Sequence, residues 1–478
     1  MKWLRQHHAR RRIRALSFGT ITLVQLPRDR RAGNVSTEIA EPSEMNTVLT
    51  PSLGSTARPI SIRTVALASL IGTTIEWYDF YLYGTAAALV FSRLYFPTID
   101  QRLGTLAAFA TYSVGFIARP VGGVVIGHFG DRVGRKAMLV FTMMVMGTAT
   151  FAIGLLPTYE QWGFIAPLLL VVLRFAQGFG VGGEWGGAVL MAVEHAPKGS
   201  RGFYGSWPQM GVPAGLILAT SAFAVVSRLP EDDFLRWGWR VPFLASIVLI
   251  GIGLIVRFGL TETPVFHNIK RGSDEARFPV LEVVRRYPRE ILLTLGIRMA
   301  ENGGFYIFTV FVLVYATQVA GITRQDALTG VLIGSVGLLV ALPICGTLSD
   351  RLGRRPVYLF GAAVVGLFSF PFFWLINTGS AALMWLAVVT VLTFGQAAMY
   401  GPQAAFLSEM FEARVRYSGA SLGAQLASVL AGGLSPFIAT ALLPYGGKAV
   451  AAYVVVMALI TIVAVLAATE TRYRQIAE

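Results

Sequence analysis

Gly127-His-Phe-Gly-Asp131-Arg132-Val-Gly134-Arg135-Lys136 returns as Gly346-Thr-Leu-Ser-Asp350-Arg351-Leu-Gly353-Arg354-Arg355, with Asp131 and Asp350 219 residues apart. Each copy follows the second long apolar run of its half of the chain. A second pair keeps the same register: Glu194 and Arg201 lie seven apart after the fourth run, as Glu409 and Arg416 do after the tenth. Two motif pairs in step predict two parallel structural repeats. Gly127 and Gly134 permit close packing and a tight turn, and Asp131 can face a helix N-terminus or pair with a neighbouring arginine. Contacts of that kind can hold two halves in one arrangement and release them in another. Asp131, Arg135, Glu194 and Arg201, with their counterparts Asp350, Arg354, Glu409 and Arg416, are therefore the expected gating residues.

The runs around these loops are membrane-length. Of 478 residues 54% are apolar and 14% charged, with a mean hydropathy of +0.61; soluble domains carry about 25% charged residues. That excludes an ordinary soluble enzyme, a disordered chain and a disulfide scaffold. The one cysteine, Cys345, has no intrachain partner. A net charge of +14 would suggest nucleic acid only if the basic groups formed a soluble face. They sit between apolar runs instead, so no nucleic-acid partner is expected. A helix needs roughly 20 mainly apolar residues to span a bilayer. Twelve runs qualify: 66–92, 104–128, 137–157, 164–193, 203–227, 240–260, 290–318, 327–348, 356–376, 381–408, 417–443 and 447–468. The expected fold is an all-α integral membrane protein of twelve transmembrane helices in two six-helix halves, over 63–260 and 290–469. A basic tail (1–62), a linker (261–289) and a C-terminal tail (470–478) complete the chain. The first 31 residues resemble a transit peptide in composition. A solvated basic tail, or translation starting at Met45, is the simpler reading.

Lys and Arg in the connecting segments fall 18 to 7 in favour of one side, and the N-terminal tail adds 11 to that side. Both termini are therefore expected in the cytoplasm, with the protein in the cytoplasmic (inner) membrane.

Charges inside the runs are costly in hydrocarbon and are functional candidates. They are Glu76, Asp79, Arg119, Arg174, Glu184, Arg298 and Glu301. At ~1.5 Å rise per residue all but Glu184, which lies nearer the cytoplasm, fall near the midplane. Helical spacing places Glu76, Asp79 and Tyr83 on one face, Arg174, Gln177 and Glu184 on another, and Arg298, Glu301 and Phe305 on a third. Buried ion pairs holding helices together would explain any one pair, but such pairs add little net stability. Three cations against four acids also leave one carboxylate over, suited to binding and releasing a proton. If helices 1 and 2 are neighbours, Asp79 comes within reach of Arg119.

These residues carry a family resemblance. The loop motif resembles the signature between helices 2 and 3 of the major facilitator superfamily. Ile75-Glu76-Trp77-Tyr78-Asp79-Phe80-Tyr81, Ala118-Arg119-Pro120-Val-Gly-Gly and Arg174-Phe-Ala-Gln177-Gly-Phe-Gly-Val-Gly-Gly-Glu184-Trp-Gly-Gly resemble its metabolite:proton symporters. Within that group Gly104-Thr-Leu-Ala-Ala-Phe-Ala-Thr and the Arg298…Glu301 pair look nearest to shikimate-type carriers. The resemblance implies proton-coupled import of a small organic acid such as a shikimate-like or dicarboxylate metabolite, driven by the proton gradient with no cofactor or metal, by a monomer in the lipid bilayer.

Two enzyme-like strings carry no chemistry. Gly178-Phe-Gly180-Val-Gly-Gly183 fits a dinucleotide fingerprint but lies within a membrane run, where small residues serve helix packing. Gly419-Ala-Ser421-Leu-Gly423 fits a nucleophile elbow but lies in a helix, with no His in any helix core to serve as base. The chain is not expected to be an enzyme. Arg119 and Arg298 are the expected carboxylate-binding groups, because guanidinium binds carboxylate bidentately. Asp79, Glu76 and Glu301 are the candidate proton sites, and Gln177, Trp207, Gln209, Tyr400 and Gln403 the candidate polar lining. Arg174 and Glu184 complete a buried charge network. Two alternatives stand: uptake of proline or betaine, its cation stacked on Trp77 or Trp207, and a non-transporting receptor, a poorer fit without a soluble signalling domain.

Overall fold

A bilayer offers no water to satisfy backbone groups, so each apolar run must close its hydrogen bonds within itself. The computed structural model, which describes residues 62–473 except 134, 183–188, 190–191, 195, 198, 260–284 and 413–415, meets this with helices, and no strand occurs among the described residues. The first half contains α1 (62–94), α2 (Gln101–Val133), α3 (Arg135–Leu155), α4 (Ile165–Val181), α5 (Arg201–Val226) and α6 (Arg240–Gly259). The second contains α7 (Pro288–Val319), α8 (Arg324–Leu352), α9 (Arg354–Ile376), α10 (Ala381–Met410), α11 (416–441) and α12 (Gly447–Ala467). Among the described residues nine helices are individually long and apolar enough to cross a bilayer. The twelve expected runs match these helices to within about a turn and a half at each end; the fourth continues into residues outside the description. The basic tail, most of the 261–289 linker and residues 474–478 also lie outside the described residues.

The bundle is apolar on its outer surface and polar at its centre. Leu367 and Trp374 are 81% and 70% exposed, whereas Arg119, Arg174, Arg298 and Glu301 are buried. That is the distribution a hydrocarbon solvent requires. α7 is almost wholly enclosed by its neighbours. The halves meet where α5 crosses α8 and where α2 meets α11. At the first crossing Gly202 and Gly346 abut, and a Cβ on either would strike the other's carbonyl oxygen. Within the first half, a Cβ on Gly178 would strike the carbonyl of Gly115, and one on Gly182 that of Arg119. The glycine string of α4 is thus a packing surface for α2, as small residues in membrane helices commonly are.

Gly353 turns the chain between α8 and α9 at φ +111°, a conformation that favours glycine. It is the second glycine of the loop motif, and the first, Gly346, is the α5 contact. Both expected roles are visible in this copy, whereas the side chains of the 127–136 copy lie outside the described residues. Wide π-helical turns interrupt α1 (Ala87–Phe91), α7 (Ile307–Phe311 and Tyr315–Val319), α10 (Val391–Gln396) and α11 (Ser428–Gly433). Such turns re-phase a helix and recur at functional sites. All four helices line the central cavity.

Candidate functional site

A cavity enclosing about 770 Å³ of non-atom space, its mouth included, lies between the halves. α1 contributes Glu76, Trp77 and Tyr81, α2 Arg119, and α5 Gln209. The second half contributes Arg298, Glu301, Asn302 and Tyr306 from α7, Gln396 and Tyr400 from α10, and Gln425 and Ser428 from α11. Its mixture of aromatic walls with a few polar groups suits a small-molecule site.

The two arginines on the wall are not equivalent. Arg119 is enclosed by aromatic rings, its Cζ 4.4 Å from the Phe80 centroid, 4.5 Å from Phe116 and 5.3 Å from Trp77. The rings' negative faces stabilise the cation without supplying a hydrogen-bond acceptor. Its Nε and Nη2 are buried without a partner, and no carboxylate among the described residues is within ion-pair distance. Arg298, by contrast, donates from Nε to Glu301 Oε2 at 3.2 Å and from Nη1 to the Ala424 carbonyl at 3.5 Å. Glu301 also accepts from Gln396 Nε2 (3.4 Å) and Gln403 Nε2 (2.7 Å). Tyr358 backs this cluster, its hydroxyl accepting from Gln403 and donating to the Ile297 carbonyl.

Asp79 does not lie against Arg119. α1 turns it toward Thr150 of α3, whose hydroxyl donates to the Met146 carbonyl at 3.0 Å, and its Oδ1 is buried without a partner. The expected pairing fails because the Arg119 guanidinium is taken up by the ring cage. Thr150 accepts from Gln177 Nε2 at 2.7 Å, and Gln177 Oε1 accepts from Arg174 Nη1 at 3.1 Å. A hydrogen-bonded chain thus runs from Arg174 through Gln177 to Thr150, with Asp79 beside its far end. Arg174 is fully buried over the Phe80, Tyr83 and Tyr112 rings, 4.0 to 4.6 Å from their centroids. Among the described residues, Arg119 and Arg174 both lack a carboxylate partner.

Of the sequence-derived candidates, Arg119, Arg298, Glu76, Glu301, Gln209 and Tyr400 share the cavity wall. Gln177, Trp207 and Gln403 do not. Gln177 belongs to the Arg174 chain and Gln403 stands behind Glu301, while Trp207 packs edge-on against Phe203. Glu184 lies outside the described residues. Sequence reasoning missed Asn302, Gln396, Gln425 and Ser428. Gln396 had a signal: it lies four and seven residues before Tyr400 and Gln403, one helical face.

The Major Facilitator Superfamily profile matches residues 69–432. The chain belongs to the major facilitator superfamily. It is 46% identical to the shikimate transporter of Escherichia coli over 80% of this chain and 88% of that one. It is 42% identical to the E. coli inner membrane metabolite transport protein YhjE, over 87% and 97% of the two chains. It is 33% identical to the E. coli proline/betaine transporter, over 87% of each. Such relatives place it among the superfamily's metabolite symporters and make it a multi-pass transporter rather than an enzyme. Among solved structures, the proton:xylose symporter XylE superposes with a TM-score of 0.66 at 17% identity, over 85% of this chain and 94% of that one, a likeness of fold.

In this major facilitator chain the described residues of the expected gating set lie at the basic end of the bundle, Asp350, Arg354, Glu409 and Arg201 in one network and Arg416 with Glu194 in a separate pair. Asp350 accepts from the N–H groups of Gly202 (2.8 Å) and Phe203 (2.9 Å), the N-terminus of α5 in the other half. It also accepts from Arg354 Nη1 at 2.7 Å. A carboxylate at a helix N-terminus meets unsatisfied donors and the positive end of the dipole. Arg354 grips Glu409 with Nε and Nη2 at 3.2 and 3.1 Å. The Glu…Arg pairs seven apart do not bond within themselves; they cross the interface, Arg416 to Glu194 at 3.1 Å and Arg201 to Glu409 at 3.9 Å. Asp131 and Arg135 lie outside the described residues. Beyond the last helix, Glu470 accepts from the N–H groups of Arg354 and Arg355, capping α9. Burial pushes its carboxyl up, but these bonds and those from Arg472 and Thr471 outweigh it and hold it below the usual range.

The opposite end of the bundle is also bridged. Ser113 Oγ donates to the Gly433 carbonyl at 2.6 Å, and Arg324 at the start of α8 reaches Glu231 at 2.9 Å. The halves therefore touch on both sides of the cavity.

Proposed function

We propose that this chain is a proton-coupled symporter that imports a small organic acid through the cytoplasmic (inner) membrane, with both termini and the basic end facing the cytoplasm. The proton gradient is its energy source, with no cofactor. The reading is carried by Arg119: a buried, ring-caged guanidinium on the wall of a central cavity, with two donors unpartnered. Leaving such donors unpaired is costly, and an incoming carboxylate satisfies both at once. The similarity to a shikimate transporter agrees with that chemistry. The osmolyte alternative loses support, because Trp77 already faces Arg119 and stacks on Tyr81, and Trp207 is off the wall.

For the proton we favour Asp79, buried beside Thr150 with one carboxylate oxygen unpartnered, over Glu301, which Arg298 already holds. Proteoliposomes with an imposed pH gradient test both parts. Arg119→Gln should abolish uptake of labelled shikimate, and Asp79→Asn should lose accumulation while retaining exchange at equal concentrations. Glu301→Gln is the rival. Accumulation by Asp79→Asn, or exchange without accumulation in Glu301→Gln, moves the proton to α7. Full uptake by Arg119→Gln removes the basis of the acid reading.

A further inference from the structure

The cavity wall of the second half is already neutralised, and this bears on what the cargo can be. Glu301 compensates Arg298, so on the described wall Arg119 is the guanidinium left without a carboxylate. One uncompensated guanidinium, on a wall that also carries the Glu76 carboxylate, calls for no more than one cargo carboxylate.

Gln396 adds a second constraint. An amide can be placed either way round, but here a neighbour fixes it. Glu301, ion-paired with Arg298, only accepts hydrogen bonds, so the NH2 end of Gln396 must face it. The carbonyl Oε1 is then directed away from Glu301, and it is buried with no partner on a residue that lines the cavity. The π-helical turn Val391–Gln396 ends on this residue and sets its phase in α10. Gln403, two turns further along the same face, holds the other Glu301 oxygen at 2.7 Å and keeps the carboxylate in place. A buried carbonyl without a donor costs free energy, which a cargo O–H or N–H relieves. A second carboxylate has no hydrogen to offer and repels it, and a trimethylammonium group offers none either.

We infer that Gln396 is a specificity-determining residue, which selects a monocarboxylate bearing a hydroxyl or N–H donor apart from its carboxylate, and disfavours dicarboxylates and quaternary-ammonium acids. This deepens the organic-acid reading and rests on it. Sites built to hydrogen-bond a hydroxyl reject analogues lacking it far more strongly than apolar pockets reject a missing methylene.

The test is a thermal-shift titration of the purified full-length protein, which needs no transport. The probes are shikimate, the same ring acid without its hydroxyls, a dicarboxylate of equal carbon number, and glycine betaine. The expected result is a shikimate affinity at least tenfold above each of the others, with the shikimate-to-deoxy ratio falling tenfold or more in Gln396→Met. Tighter binding of the dicarboxylate or betaine by the unmodified protein overturns the inference while leaving a transporter, as does an unchanged ratio in Gln396→Met. If none of the acids shifts the unfolding midpoint of the unmodified protein, the organic-acid reading fails and takes this inference with it.

Discussion

Asp350→Asn should open the basic end of the bundle. The carboxylate accepts three hydrogen bonds, but the one from Arg354 lies within its own half and survives any rocking of the halves. The two from Gly202 and Phe203 cross the interface, so they exist only while that end is closed. A hydrogen bond to a charged group is worth about 1.5–3 kcal/mol. Asparagine keeps one acceptor oxygen and presents an NH2 to the other donor, so one such bond is lost. The interaction of the charge with the α5 N-terminus, about 0.3–1 kcal/mol, is lost as well. The closed state is then destabilised by about 2–4 kcal/mol, which at 1.4 kcal/mol per tenfold is a shift of roughly 30- to 700-fold. A cysteine at Ala424, on the cavity wall, in a Cys345→Ala background reports it. Its labelling by an impermeant maleimide in inside-out vesicles should accelerate by that factor while the open state remains the minor one. Uptake should fall although the protein inserts normally. A labelling rate within twofold of the parent, in a protein of unchanged thermal stability, would refute the assignment of Asp350 as an inter-half latch.

Three further outcomes are expected. Single cysteines at Ser273 and Ser380 should react from the cytoplasmic and external sides respectively; external labelling at Ser273 with none at Ser380 reverses the topology. Glu470→Gln should lower the unfolding midpoint at pH 7, because a carboxyl held below its usual value stabilises the fold fully above the unfolded value of about 4.3 and loses that contribution as pH falls through the folded one. The gap between mutant and parent should therefore close on acidification, and an equal gap at about pH 3 would contradict this. Gly182→Leu should prevent recovery of folded protein, since backbone rather than a movable side chain blocks the Cβ and the cost exceeds the usual overpacking penalty of about 1–3 kcal/mol. Gly251→Leu, with open space around its Cα, should fold normally, and equal yields of the two would undo the packing argument.

The helices were legible because a bilayer imposes a one-dimensional rule. Each span must be apolar, about 20 residues long and internally hydrogen-bonded, so the runs from 66–92 to 447–468 locate α1 to α12 without any knowledge of neighbours. The repeat was legible for the same reason, because Asp131 and Asp350 hold equivalent places at the ends of helices whose position hydropathy already fixes. The charged candidates could be listed too, since each charge in hydrocarbon demands an explanation.

What the sequence alone could not decide was pairing. Spacing within one helix correctly joined Arg298 to Glu301, three residues apart on one face. It could not show that Glu194 bonds Arg416 rather than Arg201, because that bond spans 222 residues and both halves. Nor could it show that Arg119 is caged by Trp77, Phe80 and Phe116, or that Asp79 turns to Thr150. Those contacts depend on how each helix is rotated about its axis, and rotation is set by the glycine crossings of α2 on α4 and α5 on α8 and by the π-helical turns. The charges themselves were fixed by sequence. Which of them is left unpartnered in the cavity, the property on which the proposed role of Arg119 rests, and which, like Arg174, joins a buried chain, was decided by tertiary packing.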